Sequence, residues 1–383
     1  MIYLDNAATS SPKPEIVVRE VAKALRQYSA NPGRGGHTPS MKASEAVYAV
    51  RQLVKDCFHV SSEENVIFTG GCTASLNTVI KGVLRPGDHV VISSLEHNAV
   101  LRPLYQLKQR GNIDYSVAQV VPNDSDMTLS AFRNAINSRT KMIICTHASN
   151  VFGIRLPVER ICALAHAYGI RFCLDAAQSA GILDINIAEY GYDYVCCAGH
   201  KGLYAPTGIG LLLINHDDPL QPLTEGGTGS ESTDPGMPAY YPDRLESGTL
   251  NIPGLCGLGA GIRFLNHRGM KKTADDEMRL IRELYRQLKK IDKVRLYTEE
   301  PDLTSSVPVF SFNIEGIDSE KVAEYLNGRY GIAVRAGLHC APLAHQSMGT
   351  LDSGTVRIAP SAFTTAKDIN ILLIAVKNFI HSS

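Results

Sequence analysis

The sequence lacks an excess of charge of either sign. Among its 383 residues, 38 are Lys or Arg and 38 are Asp or Glu, so the formal net charge at neutral pH is zero. Binding to nucleic acid or to an acidic membrane surface relies on a clustered positive excess. We therefore expect neither nucleic acid nor a membrane as a partner.

Long apolar runs and internal repeats are also absent. No apolar run approaches membrane-spanning length, and the first residues, MIYLDNAATSS, form neither a basic leader nor an apolar core. The nine cysteines are an odd number with no regular spacing, which favours free thiols in a reducing compartment over a disulfide framework. These features predict a cytoplasmic protein.

The composition that is present suits an ordinary globular protein, with 44% apolar and 20% charged residues and a length that allows two domains. Over the first part of the chain, short β-rich runs alternate with helical stretches. Strands that are apolar throughout and alternate with helices indicate a mostly parallel sheet covered on both faces. The predicted strands span residues 66–69, 89–93, 117–121, 142–146, 171–175, 193–197 and 208–214.

The rest of the chain has a different character. Residues 224–253 are rich in Gly, Ser, Thr and Pro, which predicts a long ordered loop. The pattern after this loop predicts a smaller α+β domain. Its predicted helices are 275–290, 319–330 and a last one from Ala366, and its predicted strands are 307–314, 332–336 and 355–359.

Polar side chains lie at or just beyond the ends of five of the predicted strands. In doubly wound sheets, ligands bind beyond the carboxyl ends of the strands, so these side chains are expected to meet. Each of them alone is equally well explained as a turn residue, a helix cap or a satisfied histidine. The residues are Thr73 after the glycine pair at 70–71, His97, Asn150, Asp175, and the pair His200–Lys201.

Together these residue types match the needs of one cofactor. A lysine at a strand end can form a Schiff base with an aldehyde, and a carboxylate can hold a pyridine nitrogen in its protonated form. A histidine can stack on a ring, and backbone N–H groups at a glycine-rich helix start can bind a phosphate. These are the requirements of pyridoxal 5′-phosphate (PLP).

The order of the motifs resembles that of class V aminotransferase-fold enzymes, and more narrowly that of cysteine desulfurases and selenocysteine lyases. The motifs are DNAATS, GGCTASLN, LEHNA, HASNVFG, LDAAQS, GHKGLYAPTGIG, SGTLN and RAGLHCA. The resemblance implies the aspartate-aminotransferase-type fold, with a mostly parallel seven-stranded sheet, and a homodimer. It also implies a large PLP-binding α/β domain at residues 15–250 and a small α+β domain formed by residues 1–14 and 251–383.

The resemblance assigns a cofactor role to most of the strand-end residues. Lys201 in GHKG should form the Schiff base, and Asp175 in LDAAQ should pair with the pyridine nitrogen. Gln178 should approach the ring hydroxyl and His97 should stack on the ring. Asn150 should lie near the cofactor oxygen and the substrate, Thr73 and His200 should bind the phosphate, and Thr249 in SGTLN should reach the phosphate of the neighbouring subunit.

The resemblance also assigns substrate-binding roles to two arginines. Arg357 in VRIAPS should bind the substrate carboxylate, a task that suits a bidentate guanidinium, and Arg335 should lie in the same region. Two positions depart from the family pattern. Ala198 stands where many relatives carry a hydroxyl that donates to the phosphate, and Leu338 stands where some relatives have the first histidine of an HHC sequence.

Cys340 allows three interpretations. It could be a zinc ligand with His339 and His345, but no fourth ligand or CxxC partner is apparent. It could fill a gap in the core, as free cysteines commonly do. It could also be a nucleophile, because a nearby cation such as Arg335 raises the thiolate fraction of a cysteine.

The resemblance favours the third interpretation and implies a reaction. L-Cysteine would be converted to L-alanine with a persulfide on Cys340, L-selenocysteine would be an alternative substrate, and a sulfur-acceptor protein is expected as a partner. The loop sequence RAGLHCA is similar to that of the second group of desulfurases. The alternatives are another class V activity, an aminotransferase or a β-lyase, and a weakly active sulfur-carrier or scaffold protein. No metal is expected.

Overall fold

A computed structural model describes residues 1–33 and 35–382, and its largest element is a seven-stranded sheet. The strands lie in the order β2-β8-β7-β6-β5-β3-β4, where β8 is antiparallel to both neighbours and all the other pairs are parallel. The mostly parallel sheet predicted from the sequence is therefore confirmed. Its strands are β2 Val66–Thr69, β3 His89–Ser93, β4 Asp114–Ala118, β5 Thr140–Thr146, β6 Arg171–Asp175, β7 Tyr194–Ala198 and β8 Gly210–Ile214.

Helices cover both faces of this sheet. Along β5, Ile143 and Cys145 face one apolar cluster while Met142 and Ile144 face another, so the strand is apolar at successive positions because both of its sides are buried. The helices up to the middle of the chain are α1 Glu15–Gln27, α2 Thr38–Phe58, α3 Cys72–Val83, α4 Asn98–Gln109, α5 Ser125–Ala135, α6 Val158–Ala167 and α7 Ile187–Tyr190.

Strand β4 is where the predicted and observed bounds differ most in the large sheet. The apolar run 117–121 predicted a strand, but the strand is Asp114–Ala118. It lies at the edge of the sheet and pairs only with β3, so its side chains are mostly half-buried and its sequence need not be continuously apolar. Val120 lies beyond the strand, where its N–H donates to the Ser94 hydroxyl oxygen at 3.0 Å.

The C-terminal part of the chain forms two small sheets with its own helices. The described elements are α8 Ile252–Arg268, α9 Met270–Leu288, β9 Val294–Leu296, β10 Phe310–Ile314, α10 Ser319–Tyr330, β11 Ile332–Ala333, α11 Pro342–Ser347, β12 Val356–Ile358 and α12 Ala366–Ser382. Strands β9, β10 and β12 form an antiparallel sheet in the order β12-β10-β9. The first strand of the chain, β1 Ile2–Tyr3, pairs in parallel with β11.

A separate apolar cluster lies under these small sheets. It joins Leu4 to residues of α9, α10 and α12, whereas the apolar residues of α8 belong to the cluster of the large sheet. The proposed division of the chain into residues 15–250 and residues 1–14 with 251–383 stays a prediction. No helix in the described part of the chain is long and apolar enough to cross a membrane.

Candidate active site

A cavity of about 740 Å³ lies at the carboxyl ends of the central strands. Because β5, β6 and β7 run parallel, the loops that follow them open at the same edge of the sheet. Most of the residues predicted to bind cofactor or substrate line this cavity. These residues are Thr73, His97, Asn150, Asp175, Gln178, His200, Lys201, Arg335 and Arg357.

Lys201 lies in the tight turn that follows β7. The carbonyl oxygen of His200 in this turn accepts hydrogen bonds from the Ser10 N–H at 3.0 Å and the Lys13 ammonium at 2.9 Å, which fix its position. Burial lowers the pKa of the Lys201 amine, and the charge of Asp175 opposes that shift. A lowered pKa favours the neutral amine, which is the form that attacks an aldehyde.

Asp175 ends β6 and is almost fully buried. Its Oδ1 accepts a hydrogen bond from the Ala177 N–H at 2.9 Å and another from the Cys72 thiol at 3.4 Å. The carboxylate is therefore held from two sides at the floor of the cavity.

His97 caps the N-terminus of α4. Its Nδ1 accepts a hydrogen bond from the Ala99 N–H at 3.0 Å, so the neutral ring carries its proton on Nε2. Burial lowers the pKa of His97 to about 4, and the charge of Asp175 opposes the shift. At neutral pH the ring therefore offers one N–H donor to the cavity.

The start of α3 forms a concave cradle beside the cavity. Gly71 has φ +149°, a conformation that favours glycine. The backbone of Gly210 packs closely against Gly71, because a Cβ built at Gly210 would lie 2.3 Å from the carbonyl carbon of Gly71. The free N–H groups of the first helical turn, with Thr73 among them, are suited to an anion. Nδ1 of His200 is buried without a hydrogen-bond partner from the described residues, so a ligand could satisfy it.

Ala198 contributes only a methyl group to this part of the cavity. Cys197, the other side chain that could have supplied a donor nearby, is fully buried in the apolar cluster on the opposite face of β7. Cys197 therefore cannot replace the phosphate-binding hydroxyl that many relatives carry at the position of Ala198.

Arg357 is fully buried at the wall of the cavity. Its Nη2 donates to Asp5 Oδ1 at 2.6 Å and its Nη1 donates to the Asn150 carbonyl oxygen at 2.9 Å, while Nε has no partner among the described residues. Burial lowers the pKa of Arg357, and Asp5 opposes the shift. Asp5 was not predicted to belong to this site, although it begins the DNAATS motif.

Cys340 is exposed and does not line the cavity, but its loop contacts the cavity wall. The Cys340 carbonyl oxygen accepts from the Asn98 N–H at 2.8 Å, and the His339 carbonyl oxygen accepts from Asn150 Nδ2 at 2.7 Å. His339 and Cys340 have φ +49° and +57°, a strained conformation for residues other than glycine. Arg335 Nη2 lies 3.9 Å from the Cys340 sulfur.

The two histidines near Cys340 face the protein interior. His339 is buried and its Nε2 contacts the Thr355 carbonyl oxygen at 3.0 Å, while His345 is buried and its Nδ1 contacts the Thr350 hydroxyl at 2.8 Å. Within the described residues, no group of three or more His, Cys, Asp or Glu side chains could hold a metal ion.

Gln178 and Thr249 were also predicted to bind the cofactor, and they lie in different places. Gln178 lines the cavity, and its Nε2 donates to the Ala7 carbonyl oxygen at 3.0 Å, which connects the cavity to the N-terminal segment. Thr249 is exposed and lies outside this cavity. The cross-subunit role of Thr249 therefore stays a prediction.

Comparison with known proteins matches nearly the whole chain to the family that the motifs resemble. The sequence model of the family described as aminotransferase class-V matches residues 2–372. The chain belongs to the class V aminotransferase family. This confirms the resemblance seen in the motifs.

Several relatives within the family are described as cysteine desulfurases. A probable cysteine desulfurase of Methanothermobacter thermautotrophicus is 33% identical over 97% of this chain and 92% of its own length. One from Mycolicibacterium paratuberculosis is 32% identical over 98% of this chain, which spans only 55% of that longer protein. The apo structure of a cysteine desulfurase from Thermococcus onnurineus is 30% identical, with a TM-score of 0.91 over 100% of this chain and 95% of that chain.

Proposed function

We propose that this chain is a PLP-dependent cysteine desulfurase that converts L-cysteine to L-alanine and retains the sulfur as a persulfide on Cys340. One observation carries the proposal. The exposed Cys340 thiol lies beside the Arg335 guanidinium in a loop that Asn98 and Asn150 hold against the cavity containing Lys201 and Asp175. The family membership and the names of the relatives support the same activity.

The residues of the cavity fit PLP. Lys201 would bind the aldehyde carbon, Asp175 the pyridine nitrogen and His97 the ring face. The cradle at Gly71 and Thr73, with the unpartnered Nδ1 of His200, would hold the phosphate. When bound, PLP supplies an electron sink that weakens bonds at the substrate's α- and β-carbons.

The substrate-binding residues would orient L-cysteine above that site. Arg357 and Asn150 are proposed to bind its carboxylate, with Arg335 nearby. The Lys201 amine, whose pKa is lowered by burial, can accept the proton from the α-carbon, and Nε2–H of His97 can exchange a proton with the substrate thiol.

Cys340 would complete the reaction by taking the sulfur. Its thiolate attacks the substrate sulfur, a Cys340 S–S bond forms, and the substrate C–S bond breaks with its electron pair and a proton ending on the alanine product. The sum is L-cysteine plus the Cys340 thiol giving L-alanine plus the Cys340 persulfide, so no external oxidant is needed. The Arg335 guanidinium lies 3.9 Å from the Cys340 sulfur, where it can help to position the attacking atom.

Other parts of the proposal concern partners and location. We propose a homodimer in which Thr249 of each subunit reaches the neighbouring phosphate site, and a sulfur-acceptor protein that removes sulfur from the exposed Cys340. L-Selenocysteine is proposed as a second substrate because its recognition groups are the same. Cytoplasmic location is supported by the free thiols of all nine cysteines.

The activity can be tested with purified holoprotein and L-cysteine. We expect L-alanine to form, with sulfide released when a reductant is present, and Cys340→Ala to abolish both while the bound cofactor keeps its visible absorption. Cys57→Ala serves as a control because Cys57 is a half-buried cysteine outside the cavity. Unchanged desulfuration in Cys340→Ala would exclude the persulfide role, and a keto acid in place of alanine would indicate an aminotransferase or a β-lyase.

A further inference from the structure

Cys72 lines the cofactor cavity, yet the proposed reaction leaves it without a role. It is the first residue of α3, and its side chain is buried at the boundary between the cavity and the apolar cluster on one face of the large sheet. The sequence places it at the start of a helix beside the proposed phosphate cradle, unlike the cysteines in apolar surroundings, but assigns it no role.

The position of its thiol does distinguish it. The Cys72 sulfur lies 3.4 Å from Asp175 Oδ1, which also accepts the Ala177 N–H at 2.9 Å. Both hydrogen bonds reach the same oxygen. Among the described residues, no hydrogen bond to Oδ2 is found, and Asp175 lines the cavity.

We propose that Cys72 is a positioning residue, whose S–H holds Oδ1 of Asp175 so that Oδ2 faces the pyridine nitrogen of PLP. The inference rests on the proposed function, because it assigns to Asp175 the role of partner of that nitrogen. Cys72 itself would touch neither the substrate nor the reacting bonds.

The surroundings of Cys72 keep its thiol a donor. Burial, followed by the charge of Asp175, raises the pKa of Cys72 well above its ordinary value, although Lys201 opposes the shift. A thiolate here would repel the carboxylate, whereas the protonated thiol stabilises it. A thiol is a weak donor, but a hydrogen bond to an ionised acceptor away from water is stronger than one between neutral groups.

The alternative is that Cys72 only fills space. Substitutions separate the two possibilities, because serine keeps a donor of similar size while alanine removes it. Cys162→Ala is a matched control, since Cys162 is a fully buried cysteine outside the cavity whose thiol contacts the Tyr190 carbonyl oxygen at 3.6 Å.

The hydrogen bond itself can be observed without cofactor. The infrared S–H stretching band of Cys72 is obtained as the difference between the wild-type apoprotein and Cys72→Ser. We expect this band at lower frequency than that of a free thiol, and we expect it to move to higher frequency in Asp175→Ala. A band that is the same in Asp175→Ala and in the wild-type protein would overturn the proposal.

Cofactor binding gives the second measurement. We expect Cys72→Ala to weaken PLP binding to the apoprotein about fivefold and to move the pH at which the bound cofactor's visible band changes, as loss of one hydrogen bond of this kind predicts. Cys72→Ser and Cys162→Ala should bind PLP as the wild-type protein does. Equal behaviour of Cys72→Ala and Cys72→Ser would assign Cys72 to space filling and overturn the inference.

Asp175→Ala and Lys201→Ala separate this inference from the proposed function. If these two variants lose PLP while Cys72→Ala retains full affinity, the cofactor site stands and only the role of Cys72 is wrong. If both bind PLP as tightly as the wild-type protein, the cofactor site itself is wrong, and the role of Cys72 is overturned with it.

Discussion

The carboxylate of Asp5 forms an ion pair with Arg357, the main substrate-binding residue of the proposed site. Arg357 is only 1% exposed and donates to Asp5 Oδ1 at 2.6 Å, so its guanidinium is already paired before any substrate binds. A substrate carboxylate would share Arg357 with Asp5. The affinity for L-cysteine therefore depends on how strongly Asp5 offsets the arginine charge.

We predict that Asp5→Asn lowers the KM for L-cysteine roughly fivefold, because the neutral amide leaves more of the Arg357 charge for the substrate. The same change should lower the melting temperature, since it removes the counterion of a buried cation. Steady-state kinetics and thermal unfolding measure the two effects. Asp126→Asn, at the exposed pair with Arg160, is the control, and an unchanged or raised KM in Asp5→Asn would contradict this view of Arg357.

Individual site residues differ in how far the sequence could predict them. Asp175 ends a buried strand, and His97 and Lys201 lie in the short loops after two others, so the strand pattern and the rule for parallel sheets were enough to bring them together. Asp5 and Cys72 form hydrogen bonds to site residues that are distant along the chain, at separations of 352 and 103 residues. A pattern of local spacing carries no information on such pairs.

At the scale of elements, the N-terminus of α4 connects the proposed cofactor site to the Cys340 loop. Its cap residue His97 faces the cavity, and its first helical residue, Asn98, donates its N–H to the Cys340 carbonyl oxygen at 2.8 Å. Since His339 and Cys340 have strained backbone conformations, contacts of this kind are needed to keep the loop in place.

Asn98→Pro tests this contact with little effect on the helix. Proline is favoured at the first helical position, and His97 before it already has φ −75° and ψ 155°, which suits a residue that precedes proline. The change removes the N–H that binds the loop, together with the amide side chain. We predict that alkylation of Cys340 and hydrogen exchange in residues 337–341 speed up about fivefold, as loss of one hydrogen bond implies.

Asn98→Ala is the matched control for this experiment, because it removes the side chain and keeps the N–H. It should leave both rates unchanged. If Asn98→Pro and Asn98→Ala give equal rates of alkylation and exchange, the hydrogen bond to Cys340 does not hold the loop.

The helices show which elements a sequence pattern can and cannot reveal. Helix α2 was not predicted, although its buried residues Ala43, Val47, Val50 and Val54 follow a clear helical spacing. Helix α8 has no such signal, because it is rich in glycine and buried on most sides. A Cβ at Gly257 would lie 2.5 Å from Pro206 Cδ, so glycine is required there because a distant segment packs closely against the helix. Local helix propensity does not predict such a contact.

At the scale of the whole molecule, buried titratable groups set how stability depends on pH. Burial lowers the pKa of His97 and His200 to about 4, of His147 to about 3 and of His339 to about 2. As the pH falls from about 6.5 to about 4, the unfolded chain takes up protons at these positions and the folded chain does not. The free energy of unfolding should therefore fall as the pH falls through this range.

Two buried carboxyl groups have the opposite effect. Burial raises the pKa of Glu96 and of Glu277 to about 8. Above pH 4.5 the unfolded chain releases these protons while the folded chain keeps them, so the two groups lower stability as the pH rises toward 8. Among these six groups, the four histidines dominate below pH 6.5 and the two carboxyl groups dominate above it, so their combined contribution to the stability of the apoprotein is greatest near pH 6.5.

Glu277→Gln should reduce the loss of stability on the alkaline side of that maximum. The amide side chain of this variant would have no proton to release on unfolding, and its oxygen could still accept the Tyr204 hydroxyl, which contacts Glu277 Oε1 at 3.4 Å. Between pH 6.5 and 8 the variant should lose less stability than the wild-type protein, by up to about 1.4 kcal/mol per pH unit. Denaturant unfolding at several pH values measures this difference, with Glu283→Gln on the exposed side of α9 as the control. Parallel curves for Glu277→Gln and the wild-type protein would mean that Glu277 is already ionised in the folded protein at pH 6.5, and the pH of maximum stability would then lie higher.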